Sequence, residues 1–269
     1  MNTLTTQIWQ QIRAEAQELV QREPMLASFY YATILKHDSL GSALSYILAQ
    51  KLGLSSILGA ISFREIIQEV LEQEEEIIAQ VARDIEATVE RDPAVDKLST
   101  PLLYLKGFHA LQAYRITHWL WLHERKDLAI FLQNEISTSL GVDIHPAARI
   151  GSGIMLDHAT GIVIGETCVI GNNVSILQGV TLGGTGKESG DRHPKISDGV
   201  MIGAGAKILG NISIGENAKI GANSVVLKPV PAYCTAAGVP ARIIMSDNKE
   251  CPATQMNQNF IDIWEAMNI

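Results

Sequence analysis

The sequence predicts an α+β protein in which an all-helical N-terminal domain precedes a parallel β-helix with an inserted loop and a flexible, polar C-terminal tail. Three observations point there. An aliphatic residue recurs every six positions between Ile144 and Val226, glycine follows that aliphatic in most units, and residues 1 to about 140 carry apolar side chains at helical spacing with almost no glycine period. The expected boundaries are 1–140 for the helical domain, 141–245 for the β-helix and 246–269 for the tail.

In the helical domain, Ser62 and Glu65 have the spacing of a capping box and open a run through Ile66, Ile67, Val70, Leu71, Ile77, Ile78, Val81 and Ile85. Asp92-Pro93 ends that run. Thr100-Pro101 then offers an N-cap and a first-position proline for helix that continues to about Leu140. Leu102, Leu105, Phe108, Leu111, Tyr114, Trp119 and Trp121 make an apolar surface wider than one helix face needs, so this domain is expected to be an oligomerisation unit. The acidic group Glu72, Glu74, Glu75 and Glu76 reads as a solvated helix face rather than a cation site.

In the repeat, the aliphatic positions are Ile144, Ile150, Leu156, Ile164, Ile170, Ile176, Leu182, Ile196, Ile202, Ile208, Ile214, Ile220 and Val226. Small or β-branched residues such as Ala148, Thr160, Cys168, Val174 and Ala206 stand four places on. A six-residue period fits short flat strands joined by glycine-permitted turns, three units to a triangular coil; strand alternation has period two and leaves the glycines unexplained. Two extra residues between Leu156 and Ile164, and eight between Leu182 and Ile196, interrupt it. Insertions in a rigid repeat mark its functional face.

A formal net charge of −8 argues against nucleic acid and anionic membranes as partners. The amino end is polar and amphipathic, and no run approaches the ~18 apolar residues of a membrane span, so a cytoplasmic location is expected. Cys168, Cys234 and Cys251 lie far apart without a CxxC pair, which disfavours disulfides and structural zinc; no metal is expected.

Of seven histidines, His158 and His193 stand beside the two insertions, and His193 has Asp191 and Arg192 as neighbours. With three units per coil, the units beginning at Leu156, Ile176, Ile202 and Ile220 share a face. Their third residues, His158, Gln178, Ala204 and Ala222, then form a column about 14 Å long at ~4.8 Å per coil. A pantetheine arm fits along it, with its thioester facing His158. Small residues there equally suit turns or subunit packing.

The segments RDPAVDKLSTPLLYLKGFHALQAYRITHWLW, VDIHPAARIGSGIMLDHATGIVIGE, LGGTGKESGDRHPKI and AAGVPARI give the chain a resemblance, over essentially its full length, to the serine acetyltransferases. The hexapeptide repeat is shared by many acyltransferases; the helical domain and the DHATG and GDRHPK segments are specific to this family. The resemblance implies a left-handed β-helix and transfer of acetyl from acetyl-CoA to L-serine, giving O-acetylserine on the route to cysteine. It implies His158 as general base oriented by Asp143, with Asp92 and Asp157 on the substrate ammonium, Arg192 on its carboxylate, and His193 also in the site. Acetyl-CoA would lie near Gly184, Ala204, Lys219 and Ala222 as cosubstrate, with no permanently bound cofactor. The same resemblance implies feedback inhibition by L-cysteine and a hexamer built as a dimer of trimers, with sites between neighbouring subunits. It also implies binding of O-acetylserine sulfhydrylase through the terminal Ile269. The alternative is a hexapeptide acetyltransferase acting on a sugar or antibiotic hydroxyl. A zinc hydratase of similar fold would need clustered histidine ligands, and a non-catalytic scaffold would have no use for this set of side chains.

Overall fold

The computed structural model describes residues 3–53, 58–186, 189–245 and 251–256. The chain forms two compact units, Met1–Leu140 and Gly141–Ile269. Among the described residues no helix is long and apolar enough to cross a membrane.

The first unit is helical: α1 (Thr3–Arg22), α2 (Ala27–Tyr30), α3 (Leu40–Gly53), α4 (Gly59–Gln73), α5 (Glu75–Arg91), α6 (Ser99–Tyr104), α7 (Lys106–Leu122) and α8 (Lys126–Leu140). Thirteen of the seventeen residues of α7 are buried, which makes it the central helix. The expected capping box does not cap. Ser62 lies inside α4, which starts at Gly59 with no side-chain cap. There α3 and α4 cross so closely that a Cβ on Gly53 would stand 2.5 Å from the Ala60 backbone, and this packing overrides the local signal. The single run expected after Ser62 is two helices, broken at Glu74 (φ −133°, ψ 85°). Like charges around Glu72 and Glu76 disfavour one continuous helix, whereas Glu75 and Glu76 suit a new N-terminus. Thr100 is not the cap of α6 either. The Glu15 carboxylate of α1 accepts the Leu98 and Ser99 N–H groups (3.2 and 2.8 Å).

A buried ion pair joins α5 to α7: Arg115 Nη2 stands 2.7 Å from Asp84 Oδ2. Gln112 donates to the same oxygen (3.0 Å), and Gln80 accepts from Arg115 Nη1 (2.8 Å), so both charges are hydrogen-bonded.

The second unit contains β1 (Val142–Ile144), β2 (Arg149–Ile150), β3 (Met155–Leu156), β4 (Ile162–Ile164), β5 (Val169–Ile170), β6 (Ser175–Ile176), β7 (Thr181–Gly183), β8 (Lys195–Ile196), β9 (Met201–Ile202), β10 (Lys207–Leu209), β11 (Ser213–Ile214), β12 (Lys219–Ile220) and β13 (Val225–Val226). A closing hairpin, β14 (Cys234–Gly238) and β15 (Ala241–Met245), follows. Three sheets form the faces of a parallel β-solenoid: β1-β4-β7-β10-β13, β2-β5-β8-β11 and β3-β6-β9-β12-β14-β15. Every aliphatic of the six-residue period lies on a strand, and all are buried except Ile150, which is half-buried in the first coil.

The periodic glycines answer to stacking rather than to turn conformation. A Cβ on Gly151 would stand 2.6 Å from the carbonyl oxygen of Gly171 in the next coil, and one on Gly203 would stand 2.7 Å from the Ala222 nitrogen. The left-handed turn positions fall two residues further on, at residues such as Gly153, Asn173, Gly205 and Asn223.

Part of the expected free tail is packed. A short helix, α9 (Pro252–Gln255), lies on the third face, where Ser175 Oγ donates to the Ala253 carbonyl (3.0 Å) and Ala253 is fully buried. The apolar finish from Phe260 to Ile269 lies outside the described residues.

One titration in the helical unit has a measurable consequence. His109 is fully buried on α7, donates from Nε2 to the Leu102 carbonyl (2.7 Å), and among the described residues has no partner at Nδ1. Burial pushes this histidine down to about 4. The unfolded chain takes the proton near pH 6.5, so the stability contributed by the neutral ring is complete above that value and declines as pH falls toward 4. Near pH 5 the loss is about 2 kcal/mol relative to pH 8. His109→Gln, neutral throughout, should flatten this dependence in urea unfolding followed by circular dichroism; parallel curves for the two proteins would contradict the assignment.

Candidate active site

Two corners of the solenoid carry the candidate residues. Residues 145–148, 165–168, 184–186 and 189–194 lie where the chain turns from the first face to the second; residues 157–161, 177–180, 203–206 and 221–224 turn from the third face back to the first.

At the second of these corners the hydrogen bonds revise the expected column. Gly205 N donates to the Gln178 carbonyl, Asn223 N to Ala204, and Gly179 N to Thr160. Thr160, not His158, therefore aligns with Gln178, Ala204 and Ala222. The inward place four positions after Leu156 passes from Thr160, which is exposed, to Ile162, which is fully buried. His158 and Ala159 are the two inserted residues, both in the left-handed region (φ 54° and 61°). Neither is glycine, and a backbone conformation that L-residues avoid is held here by the closed ladder on both sides. The bulge pushes the His158 ring outward, leaving its side chain 74 % exposed.

The carboxylate that approaches this ring is that of Asp157, with Oδ1 3.8 Å from Nε2. Asp143 lies one coil below on β1, opposite Val163 and half-buried between Val142 and Ile144, whose side chains are buried. Lys219 lies on β12 in line with Met201 and Thr235, half-buried, and burial lowers its ammonium from the ordinary lysine value. Ala204 and Ala222 flank that face at the corner.

The other corner gathers Arg192 and His193 with three residues that sequence reasoning passed over: His145, Glu166 and Thr167. Arg192 Nη2 donates to Glu166 Oε2 (2.6 Å) and Nη1 to the Gly190 carbonyl (3.1 Å). The hydrogen bond from Arg192 holds the Glu166 carboxyl below its ordinary value. The Thr167 N–H donates to His193 Nδ1 (3.2 Å), so this nitrogen is an acceptor and the neutral ring carries its proton on Nε2. The Thr167 hydroxyl accepts the backbone N–H groups of Arg192 and His193 (3.0 and 3.1 Å) and stands 2.9 Å from the same Nδ1. The His193 ring is seated over Gly165, where a Cβ would come within 2.1 Å of it. Burial, then the Arg192 charge, lowers His193; burial also lowers His145.

A usable signal for Glu166 and Thr167 exists in the sequence. Ile170 pairs with Ile196, and Glu166 and Thr167 precede Ile170 by the same four and three residues that separate Arg192 and His193 from Ile196. The eight-residue insertion hides this equivalence.

Gly184 sits at this same corner, 3.5 Å from the Arg192 carbonyl at its virtual Cβ, rather than beside Ala204 and Ala222. Asp92 belongs to the helical unit. It caps the end of α5, and its Oδ1 accepts the Ala94 N–H (2.9 Å). Cys168 is inert core: it is buried, and burial pushes its thiol up to about 12. Among the described residues no group of three or more His, Cys, Asp or Glu side chains is arranged to hold a metal ion.

The profile for the serine acetyltransferase N-terminal region matches residues 8–113, the bacterial transferase hexapeptide profile matches 193–228, and the hexapeptide repeat of succinyl-transferase matches 148–178 and 161–183. The chain is 66 % identical over 266 residues to a serine acetyltransferase of Haemophilus influenzae, covering 99 % of each chain. It superimposes on a serine acetyltransferase solved in complex with cysteine with a TM-score of 0.93, at 67 % identity over 96 % of this chain and all of that one. A serine acetyltransferase solved with CoA gives a TM-score of 0.86 at 67 % identity, over 89 % of this chain and all of that one.

Proposed function

Since the chain belongs to the serine acetyltransferase family and is an acyltransferase of the hexapeptide-repeat superfamily, we propose that it acetylates L-serine from acetyl-CoA by direct transfer, with His158 as general base. The observation that carries the reading is the full-length match to an enzyme of that name, with cysteine and CoA bound in close structural relatives.

A serine hydroxyl is a weak nucleophile at neutral pH, and an imidazole that takes its proton during attack is the ordinary remedy. The serine oxygen adds to the thioester carbonyl as His158 takes its proton. The tetrahedral adduct then expels the CoA sulfur, which receives that proton, so the ring ends neutral and the products are O-acetylserine and CoA. Asp143 orients the ring and stabilises the transient imidazolium. The exposure of His158 on its bulge supports this role, since its ring is free to turn from Asp157 toward a substrate. Asp92 and Asp157 hold the ammonium, Arg192 grips the carboxylate through two parallel hydrogen bonds, and His193 offers its Nε2 proton. Acetyl-CoA lies along Ala204 and Ala222, with Lys219 toward its phosphates and Gly184 at the far corner.

The separation of the two corners supports a site shared between copies. Three extended residues of the first face, ~10 Å, lie between them, and side chains on the corners of a triangular prism diverge. One small amino acid cannot touch both corners of the same coil. A trimer of parallel solenoids brings the His158 corner of one copy to the Arg192 corner of the next, and the helical domains pair two such trimers into a hexamer.

His158→Ala should lower turnover by about two to four orders of magnitude in a CoA-release assay with L-serine, the usual worth of a general base. Asp143→Asn should lower turnover with little effect on the acetyl-CoA KM. An acetylated side chain trapped on the pathway would refute direct transfer, and acetylation of a sugar in preference to serine would favour the alternative acceptor.

L-cysteine presents the same ammonium and carboxylate as L-serine, so a pocket built on Asp92, Asp157 and Arg192 also admits it. Inhibition is expected to be competitive with serine and weakened by Arg192→Ala. Full inhibition at saturating serine would instead require a separate regulatory site.

Ile269 offers an apolar anchor suited to a pocket that binds amino acids, and so reaches O-acetylserine sulfhydrylase as a partner. Deleting Ile269 should abolish that binding in calorimetry while acetyl transfer persists. Unchanged affinity would discard the tail as the contact.

A further inference from the structure

We infer that Glu166 is a positioning residue for the reaction, holding the Arg192 guanidinium in the orientation that receives the substrate carboxylate. The inference rests on the role proposed above for Arg192.

Glu166 and Arg192 occupy equivalent places one coil apart, each four residues before a pair of ladder-bonded isoleucines, Ile170 and Ile196. The ladder thus fixes both backbones. The Thr167 hydroxyl tightens the arrangement by accepting the backbone N–H groups of Arg192 and His193 (3.0 and 3.1 Å). The Glu166 contact is short and charge-assisted at 2.6 Å. With Nη1 on the Gly190 carbonyl, the guanidinium is held at both terminal nitrogens. Among the described residues two of its five N–H donors are engaged and three remain, enough for a bidentate contact to a carboxylate.

The long arginine stem has many rotamers, and Arg192 sits at the end of the eight-residue insertion rather than on a regular coil. Without Glu166 the serine carboxylate would have to order the guanidinium as it binds. The pair is part-exposed, with side-chain accessibilities of 27 % and 37 %. Such pairs add little to fold stability, so the effect of removing one falls on substrate binding rather than on the thermal midpoint. The opposing effect is that a carboxylate beside Arg192 competes with, and repels, a substrate carboxylate.

The two are separated by steady-state kinetics of Glu166→Ala and Glu166→Gln with L-serine and with L-serinamide, whose amide replaces the carboxylate. Glu166→Ala is expected to raise the L-serine KM about tenfold, with kcat, the acetyl-CoA KM, the serinamide KM and the thermal midpoint little changed. Glu166→Gln keeps an acceptor oxygen and a similar volume, and should show a smaller rise. A lower serine KM in Glu166→Ala would identify Glu166 as a competitor, and an equal rise for both acceptors would reveal general damage to the corner; either result overturns the inference. Arg192→Ala should erase the preference for serine over serinamide. If that preference survives Arg192→Ala, the role of Arg192 fails and the inference falls with it; if it is erased there yet untouched in Glu166→Ala, the positioning role alone is overturned.

Discussion

The solenoid depends on one constraint, the parallel hydrogen-bond ladder that locks each coil to the next in register. Strands β1 to β13 are only two or three residues long, too short to be stable by themselves. Each is held because its N–H and carbonyl groups pair with the neighbouring coils while one aliphatic side chain points inward. Register cannot slip without turning that column outward. Residues that share a place in successive units are therefore fixed relative to one another, and extra residues can only be expelled at a corner.

Expulsion is how this rigid scaffold acquires chemistry. The two-residue insertion becomes the bulge that presents His158, with backbone angles the regular repeat would not tolerate. The eight-residue insertion returns to the ladder through Arg192 and His193, seated on Glu166 and Thr167 of the coil below. Both departures flank the first face, one at each edge. The regular units supply stiffness, and the irregular ones supply an exposed imidazole and a cation whose position is set by the coil beneath.

The helical unit follows a different logic. Its central helix is buried nearly all round and carries polar groups inward: Arg115 and Gln112 reach Asp84 on a neighbouring helix, and His109 reaches the Leu102 carbonyl. Buried charges of this kind stabilise little in net terms but are costly to leave half-paired, so they favour one packing of α5 against α7. The Glu15 carboxylate acts similarly across sequence distance, receiving the N–H groups at the start of α6, in the segment that follows Asp92.

The sequence by itself determined the solenoid, its thirteen strands and the importance of both insertions, because a six-residue period with stacked aliphatics has one efficient packing. It also determined membership of the acetyltransferases, through segments such as DHATG and GDRHPK. Helix limits were poorly legible. The Ser62 and Thr100 signals are local, and they lost to a close crossing at Gly53 and Ala60 and to a carboxylate some eighty residues away. The His158 column was misplaced by two residues because counting cannot tell which side of an insertion keeps the register; only the bond from Gly179 to Thr160 does. Glu166 and Thr167 went unread because their partnership with Arg192 and His193 exists between coils, across an insertion that obscures the count. What the tertiary structure decided is thus what depends on contacts between residues distant in the chain: where helices begin, which residue aligns with which at a corner, and which carboxylate holds the arginine.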